Sequence, residues 1–96
     1  GQAALDLEGN IQGVGNFDIQ AEVSIKNLEI VLKAGGSDLS KVLKVTIFMK
    51  DMKNFPKVIE LREKFFKKPY PADSIVEVSS LALPELEFEI EAIAKR

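Results

Sequence analysis

The stretch Leu86-Glu-Phe-Glu-Ile-Glu-Ala-Ile-Ala94 decides the fold, because apolar and acidic residues alternate along it. Successive side chains of a β-strand point to opposite faces of a sheet. The predicted strand therefore turns its apolar side chains toward a core and three carboxylates toward the opposite face. These carboxylates belong to Glu87, Glu89 and Glu91. Like charges in one row repel each other, so we expect solvent or a partner to relieve them.

Two further strands are predicted from the rest of the chain. Pro69-Tyr-Pro-Ala-Asp-Ser74 has the composition of a turn, and Ile75–Leu81 follows it as a strand. Lys41–Met49 carries β-branched residues at alternating positions, which favours another strand. Near the N-terminus, the turn Glu8-Gly9-Asn10 separates short extended pieces.

A helix is predicted over Phe17–Ala34, with Asn16 as its N-cap. The pair Gly35-Gly36 ends it, because glycine adopts the left-handed conformation without a Cβ penalty. Its apolar residues recur every three or four positions and predict a wide buried arc that includes Val23 and Ile30 on one flank. The central stripe consists of Ala21, Ile25, Leu28 and Leu32.

A second helix is predicted after Asn54, which serves as its N-cap, with Pro56 tolerated in the first turn. Pro69 and Pro71 are expected to end this helix. Four of its apolar side chains are expected to point inward, namely Val58, Leu61, Phe65 and Phe66.

This order of elements predicts a single α+β domain, a two-layer sandwich with a mixed sheet and two helices on one face. The other face of the sheet carries Lys44, Thr46 and the glutamate row, which are too polar for a dry core. We therefore expect solvent or another copy of the chain to cover that face. A chain of 96 residues is small enough to gain from self-association.

The composition excludes several kinds of chemistry. Without His or Cys, the chain cannot build a Ser-His-Asp triad, a Cys nucleophile or an ordinary zinc site. Gly13-Val-Gly15 is a lone GxG and predicts a loop rather than a phosphate site. We expect no cofactor and no metal. The chain has no membrane-spanning apolar run or signal sequence and no cysteine, so a cytoplasmic location is expected.

The basic residues are concentrated in the middle of the chain. Residues 41–68 hold nine basic and three acidic residues, whereas the net charge of the whole chain is −2. Nucleic acid is an unlikely partner, because aromatic residues are not interleaved with the basic ones and the net charge is negative. Either a solvated helix face or contact with an acidic neighbouring subunit explains the pattern. Lys67-Lys68 fits a solvated helix end, favourable against the helix dipole.

Residues spread over nearly the whole chain match one known family in a single register. They are Gln20, Asn27, Leu32, Gly36, Val42–Met49, Asp51, Met52, Phe55 and Glu89–Ala94. On these residues the chain closely resembles the RidA/YjgF family. The resemblance implies a chorismate-mutase-like α+β fold and a homotrimer with clefts between subunits. It also implies hydrolysis of reactive enamines and imines such as 2-aminoacrylate, and some members are described as translation inhibitors or ribonucleases.

The chain departs from the family pattern in three places. Gly1-Gln2 aligns with the end of the second family strand, so the leading hairpin is expected to be lacking. Pro71-Ala72-Asp73-Ser74 stands where catalytic members have Pro-Ala-Arg-Ser, whose Arg grips the substrate carboxylate. In the second helix, Ile59 and Arg62 replace the frequent Asn and Tyr. An Asp offers only acceptors where an Arg binds a carboxylate bidentately, so an imino acid should bind poorly beside Asp73 unless Arg62 supplies the missing cation from another direction.

The resemblance implies four site residues. Glu91 matches the acid that positions the attacking water, and Gly1 matches the glycine whose backbone contacts substrate. Asp73 and Ser74 lie in the Pro-Ala-Asp-Ser stretch that matches the family's substrate-binding segment. Each has a simpler interpretation: Asp73 and Ser74 organise a turn, Glu91 is one of three surface glutamates, and Gly1 is a disordered terminal residue. Gln20, Asn27 and Gly36 are expected to have structural roles.

These residues support three functional hypotheses. The first is an enamine/imine deaminase whose small-molecule substrate binds at a subunit interface. The second is a non-catalytic trimer that binds a neutral or cationic small molecule beside Asp73 or acts through assembly alone. The third, a ribonuclease or translation inhibitor, is disfavoured by the charge of the chain.

Overall fold

The computed structural model describes all residues, 1–96, and confirms the α+β architecture. Two helices pack on one face of a four-stranded mixed sheet whose strand order is β1-β4-β2-β3. Short 3₁₀ turns at Leu39–Lys41 and Met52–Asn54 precede β2 and α2. In chain order the elements are β1 (Gln2–Ala3), α1 (Phe17–Ala34), β2 (Val42–Met49), α2 (Phe55–Phe65), β3 (Ala72–Glu77) and β4 (Phe88–Ala94).

The sheet combines one parallel and two antiparallel pairs. β2 and β3 are parallel and are joined through α2, whereas β4 runs antiparallel to both β1 and β2. Ile47 of β2 lies opposite Ile75 on one side and Ile90 on the other. Residues directly opposite one another share a face, so this row marks the face that the helices cover. The next row, Ser74–Thr46–Glu91, lies on the open face.

The core lies between the two helices and the covered face of the sheet. Phe17 at the start of α1 meets Phe88 of β4 edge to face, with ring centroids 5.7 Å apart. The predicted alternation in β4 is confirmed, since Phe88 and Ile90 are buried while Glu91 is exposed. The buried apolar cluster comprises Phe17, Ala21, Ile25, Leu28, Val42, Val45, Ile47, Met49, Val58, Phe66, Phe88 and Ile90.

The predicted bounds and caps of α1 are confirmed. Oδ1 of Asn16 accepts a hydrogen bond from the backbone N–H of Ile19 at 3.1 Å. At the other end Gly36 has a φ of +83°, and the N–H of Ser37 donates to the carbonyl of Leu32 at 2.8 Å. These are the features of a Schellman ending. The prediction for Ile30 was wrong: its side chain is 65% exposed, because the buried stripe is narrower than expected.

α2 begins at the predicted place, but the interactions at its two ends differ from those that the sequence predicts. The side chain of Asn54 forms no capping hydrogen bond, while Asp51 accepts from the N–H of Lys53 in the preceding 3₁₀ turn. The helix ends at Phe65, before the prolines that were predicted to end it. Phe66 already has extended backbone, with φ −122° and ψ 154°, and its ring is buried in the core. Burial of this ring, rather than a proline, therefore accompanies the end of the helix.

The third strand lies earlier in the chain than its sequence predicts. β3 spans Ala72–Glu77 rather than Ile75–Leu81, because its parallel ladder with β2 runs from Lys44 to Met49. The ladder stops where β2 stops, at a hydrogen bond from the N–H of Val78 to the carbonyl of Met49. β4 likewise begins at Phe88 rather than Leu86, although Leu86 is buried.

The N-terminal segment forms the predicted short extended pieces around a turn. Leu5 and Ile11 make an isolated antiparallel bridge, and Gly9 between them has a φ of +84°. Neither α-helix is long and apolar enough to cross a membrane.

Candidate functional site

A groove of about 660 Å³ lies beside β1, between the N-terminal segment and the adjoining faces of α1 and β4. This volume is within the range of ordinary small-molecule sites. Its walls are mainly apolar and its polar groups are few, as is usual for such sites. The residues used below are Gly1, Asp6, Asn27, Leu86 and Glu89.

Glu89 of β4 lies beside Gly1 in this groove. A Cβ added to Gly1 would lie 2.5 Å from Oε2 of Glu89, and the three nearest atoms all belong to that side chain. A side chain at position 1 would therefore have to displace the carboxylate. The absence of a Cβ lets the Glu89 carboxylate approach the Gly1 backbone closely, and both residues line the same groove.

A side-chain amide of α1 fixes the strand that carries Gly1. Nδ2 of Asn27 donates to the carbonyl of Ala3 and to that of Leu5, each at 2.9 Å. A strand of two residues has few ladder bonds of its own, so these two bonds position the N-terminal wall of the groove. The structural role predicted for Asn27 is confirmed.

A second buried amide fixes the segment that leads into β4. Nε2 of Gln20 donates to the carbonyl of Glu85 at 3.0 Å, and its Oε1 accepts from the N–H of Glu87 at 2.8 Å. The Gln20 side chain is fully buried, so these bonds replace the water that burial removes. They hold the chain at the point where the row of glutamates begins, and the structural role predicted for Gln20 is confirmed.

Asp6 places a second carboxylate on the groove wall. It accepts hydrogen bonds from the N–H groups of Asn10 at 2.8 Å and Glu8 at 2.9 Å, which organise the turn between Leu5 and Ile11. The backbone bond from Asn10 is the main reason that the pKa of Asp6 is lowered from its ordinary value. The groove therefore contains the carboxylates of Asp6 and Glu89 and no basic side chain of the same chain.

Glu91 and Ser74 lie elsewhere, on the open face of the sheet. Both are opposite Thr46, one on each side of β2. Adjacent strands are about 4.8 Å apart, so the backbones of Glu91 and Ser74 are about 10 Å apart. Neither residue lines the groove that contains Gly1.

Asp73 lies on the covered face of β3, opposite Val45, and its carboxylate pairs with the guanidinium of Arg62 from α2. The two side chains are 24% and 28% exposed. The guanidinium also lies 5.7 Å from the centroid of the Tyr70 ring. Arg62 therefore supplies a cation to Asp73, which is the alternative that the sequence left open. Asp73 also lies in a strand, not in the turn that the simpler interpretation assigned to it.

The cavity next to this ion pair is too small for a substrate. It has a volume of about 20 Å³ and is walled mainly by the apolar side chains of α2 and the sheet. Space of this size holds about one water molecule.

The structure thus divides the four predicted site residues among three places. Gly1 lies in the groove, Ser74 and Glu91 lie on the open face, and Asp73 lies on the covered face. Glu89 was missed as a site residue. Its signal in the sequence was the same alternation that places Glu91 on that face, and only the position of Gly1 distinguishes the two.

Comparisons with known proteins agree on one family. The profile of the family described as Endoribonuclease L-PSP matches residues 1–96. The Drosophila melanogaster protein named RutC family protein UK114 is 44% identical over 75 residues, which cover 78% of this chain and 54% of the fly protein. The human protein named 2-iminobutanoate/2-iminopropanoate deaminase is 34% identical over 95 residues, covering 98% of this chain and 68% of the human one.

A solved structure has the same fold. The crystal structure of RidA from the Antarctic bacterium Psychrobacter sp. PAMC 21119 superposes with a TM-score of 0.89 at 29% sequence identity. The match covers 98% of this chain and 75% of that one. The chain thus spans about half the length of the fly protein and three quarters of the bacterial protein.

Proposed function

Because this chain belongs to the endoribonuclease L-PSP family, which includes the RidA/YjgF proteins that its sequence resembles, we propose that it is an imine deaminase. Its substrates are reactive enamines and imines of the 2-aminoacrylate type. The name of the human relative supports this substrate class. The observation that carries the proposal is the close approach of the Glu89 carboxylate to the Gly1 backbone in a groove of suitable size.

The reaction adds one water across a C=N bond and releases ammonia and a keto acid. The Glu89 carboxylate accepts a hydrogen bond from the water, orients it toward the imine carbon and takes a proton as the C–O bond forms. That proton passes to the nitrogen and gives a carbinolamine. Its hydroxyl proton then also transfers to the nitrogen as the carbonyl forms and the C–N bond breaks, so that the nitrogen leaves as ammonia. The backbone of Gly1 contacts the substrate, as the resemblance implies.

Glu89 is the better candidate than Glu91 for the acid that positions water. Both carboxylates point to the same side of β4, but only Glu89 lines the groove with Gly1. Glu91 faces Thr46 on the open sheet, without a cavity around it in one chain. The role assigned to Glu91 from the resemblance stays a prediction, and the two glutamates provide a matched pair of variants.

The experiment mixes the protein with a pyridoxal-phosphate dehydratase that releases 2-aminoacrylate from serine, and follows the formation of pyruvate. We expect the protein to accelerate the release of keto acid. Glu89→Gln should slow that acceleration by roughly 10²–10⁴-fold, the usual contribution of a positioned acid or base. Glu91→Gln should have little effect. No acceleration by the unmodified protein contradicts the proposed activity, and loss of activity in Glu91→Gln alone contradicts the assignment of Glu89.

The Arg62–Asp73 pair favours a second candidate, a non-catalytic small-molecule binding protein. Asp73 stands where the family's catalytic members are expected to have the arginine that binds carboxylate, and the basic group of Arg62 is already paired. If the unmodified protein proves inactive, Asp73→Arg should restore activity only together with Arg62→Tyr. The single change would leave two guanidinium groups side by side.

A homotrimer, also implied by the resemblance, is part of the proposal. The open face of the sheet exposes Val76 and Ile93, which are 40% and 65% accessible in one chain. Neighbouring copies that cover this face would bury these apolar groups and bring Glu91 and Ser74 into a subunit interface. The cytoplasmic location stays a prediction.

A further inference from the structure

Another cavity, of about 450 Å³, has four lysines among the twelve residues that line it. Three separate segments form it: the 3₁₀ turn before β2, the connection from α2 to β3, and the residue after β4. No aspartate or glutamate lines it. The cavity shares no residue with the groove beside β1. Its basic residues, named here the lysine pocket, are Lys41, Lys67, Lys68 and Lys95.

Backbone bonds bring these lysines together. The N–H of Lys95 donates to the carbonyl of Lys41 at 3.1 Å, and Ser37 donates its hydroxyl to the carbonyl of Lys95. Lys67 and Lys68 follow Phe66, whose buried ring fixes the start of the α2–β3 connection. The pocket is therefore a property of the fold.

The four lysines of the pocket form no salt bridge within the chain, although the charge of Lys41 also acts on nearby Asp38. Lys33, Lys57 and Lys64 each form an ion pair with a carboxylate, whereas none of the four pocket lysines does. The acid closest to them in the chain is Asp38, whose pKa is lowered mainly by a side-chain hydrogen bond from Ser40. Asp38 does not line the cavity. Four like charges around one concave surface repel one another, and a multivalent anion relieves that repulsion.

We propose that the lysine pocket binds an oligophosphate, meaning a chain of two or more phosphate groups, either free or as part of a nucleotide. Several ammonium groups around one cavity suit several adjacent phosphates better than a single carboxylate, because each lysine donates as a point charge. The volume is sufficient for a nucleotide. The ring of Tyr70 at the rim provides a flat surface for a base.

The pocket is less suited to a nucleic acid. Single-strand binding grooves track the backbone with a continuous basic path and use aromatic rings on which successive bases stack. Here the basic side chains surround one cavity with one tyrosine ring, and the net charge of the chain is −2. An RNA oligonucleotide therefore serves as a competing probe in the test.

The experiment measures binding by isothermal titration calorimetry in a low-salt, metal-free buffer with the full chain. The probes are tripolyphosphate, ATP, inorganic phosphate and a short RNA oligonucleotide. Lys67→Ala with Lys68→Ala removes two charges from the pocket, and we expect it to weaken tripolyphosphate binding about tenfold. Lys26→Ala with Lys53→Ala removes the same charge from exposed sites elsewhere and should leave the affinity unchanged.

Each outcome supports or contradicts the proposal. The proposal is supported if tripolyphosphate binds more tightly than phosphate and if only the pocket variant loses this binding. Still tighter binding of ATP would then identify a nucleotide as the ligand. ATP binding no tighter than that of tripolyphosphate would identify free oligophosphate. An equal loss of tripolyphosphate affinity in both double variants would show that binding depends only on the overall charge of the protein, and this overturns the proposal. Absence of tripolyphosphate binding, or preference for RNA over ATP, also overturns it. Because the variants lie outside the groove, the result does not depend on the deaminase activity.

Discussion

Individual side chains connect elements that are far apart in the sequence, and Gln20 shows this best. Its amide bonds the carbonyl of Gly13, the carbonyl of Glu85 and the N–H of Glu87. One buried side chain of α1 thereby holds both the loop before the helix and the segment before β4. The position of the candidate acid Glu89 depends on that segment, since Glu89 lies two residues after Glu87.

Replacing Gln20 with leucine should destabilise the fold. Leucine has a similar size but would leave the N–H of Glu87 buried without its partner, at a cost of about 1–3 kcal/mol in the free energy of unfolding. Urea denaturation followed by circular dichroism measures this change. Ser24→Ala is the matched control: it removes one buried bond, from Ser24 Oγ to the carbonyl of Gln20, and should cost less. Equal costs for the two variants would contradict this role of Gln20.

For the glutamates of β4, the sequence predicted which face of the sheet each side chain occupies, but not which groups lie around it. Alternation in β4 placed Glu89 and Glu91 together, and the structure confirms that they share one side of the strand. Only Glu89 lines the groove beside β1, and that groove exists because residues from opposite ends of the sequence pair with each other. The contact of Arg62 with Asp73 could be raised from the sequence but not decided, because the start of β3 determines which face carries Asp73.

Secondary-structure elements were predictable where their ends are determined locally. The bounds of α1 follow from Asn16 and Gly36, whose conformations depend on adjacent residues. The bounds of β3 depend instead on the length of β2, with which it pairs, and no local signal records that length. For the same reason, the end of α2 could not be read from its prolines, because it coincides with the burial of Phe66.

The N-caps of α1 and α2 differ, because only that of α1 contributes a side-chain hydrogen bond. Asn16→Ala removes the side-chain acceptor of the Ile19 N–H and should lower the free energy of unfolding by about 1 kcal/mol. Asn54→Ala occupies the equivalent position of α2, but its side chain makes no capping bond, so we expect less than about 0.5 kcal/mol. Thermal and urea denaturation of both variants measure the difference. A cost for Asn54→Ala as large as that for Asn16→Ala would show that this cap contributes through its side chain after all.

The molecule as a whole has one sheet face without helices, and this face determines its assembly in our proposal. Ile93 stands on it opposite Lys44. In a trimer built on this face, Ile93→Glu would replace a buried apolar side chain with a carboxylate beside Lys44, and desolvation of the two charges costs more than their attraction returns. We expect the unmodified protein to sediment as a trimer and Ile93→Glu to sediment as a monomer that keeps its circular dichroism spectrum.

Val14→Glu is the control for that experiment, because Val14 is also exposed but lies in the loop before α1, away from the sheet. It should remain trimeric in analytical ultracentrifugation. A monomeric unmodified protein, or a trimer that tolerates Ile93→Glu, would contradict assembly through the open face.

The strand order β1-β4-β2-β3 has a consequence for synthesis on the ribosome. The parallel unit of β2, α2 and β3 can pair as soon as it emerges, but β1 and β2 have no common neighbour until β4 is made. A nascent chain that stops before Phe88 therefore exposes the apolar edge of an incomplete sheet, the kind of surface that chaperones bind. Insertion of β4 joins both halves at once, so the core closes only after this strand has been translated.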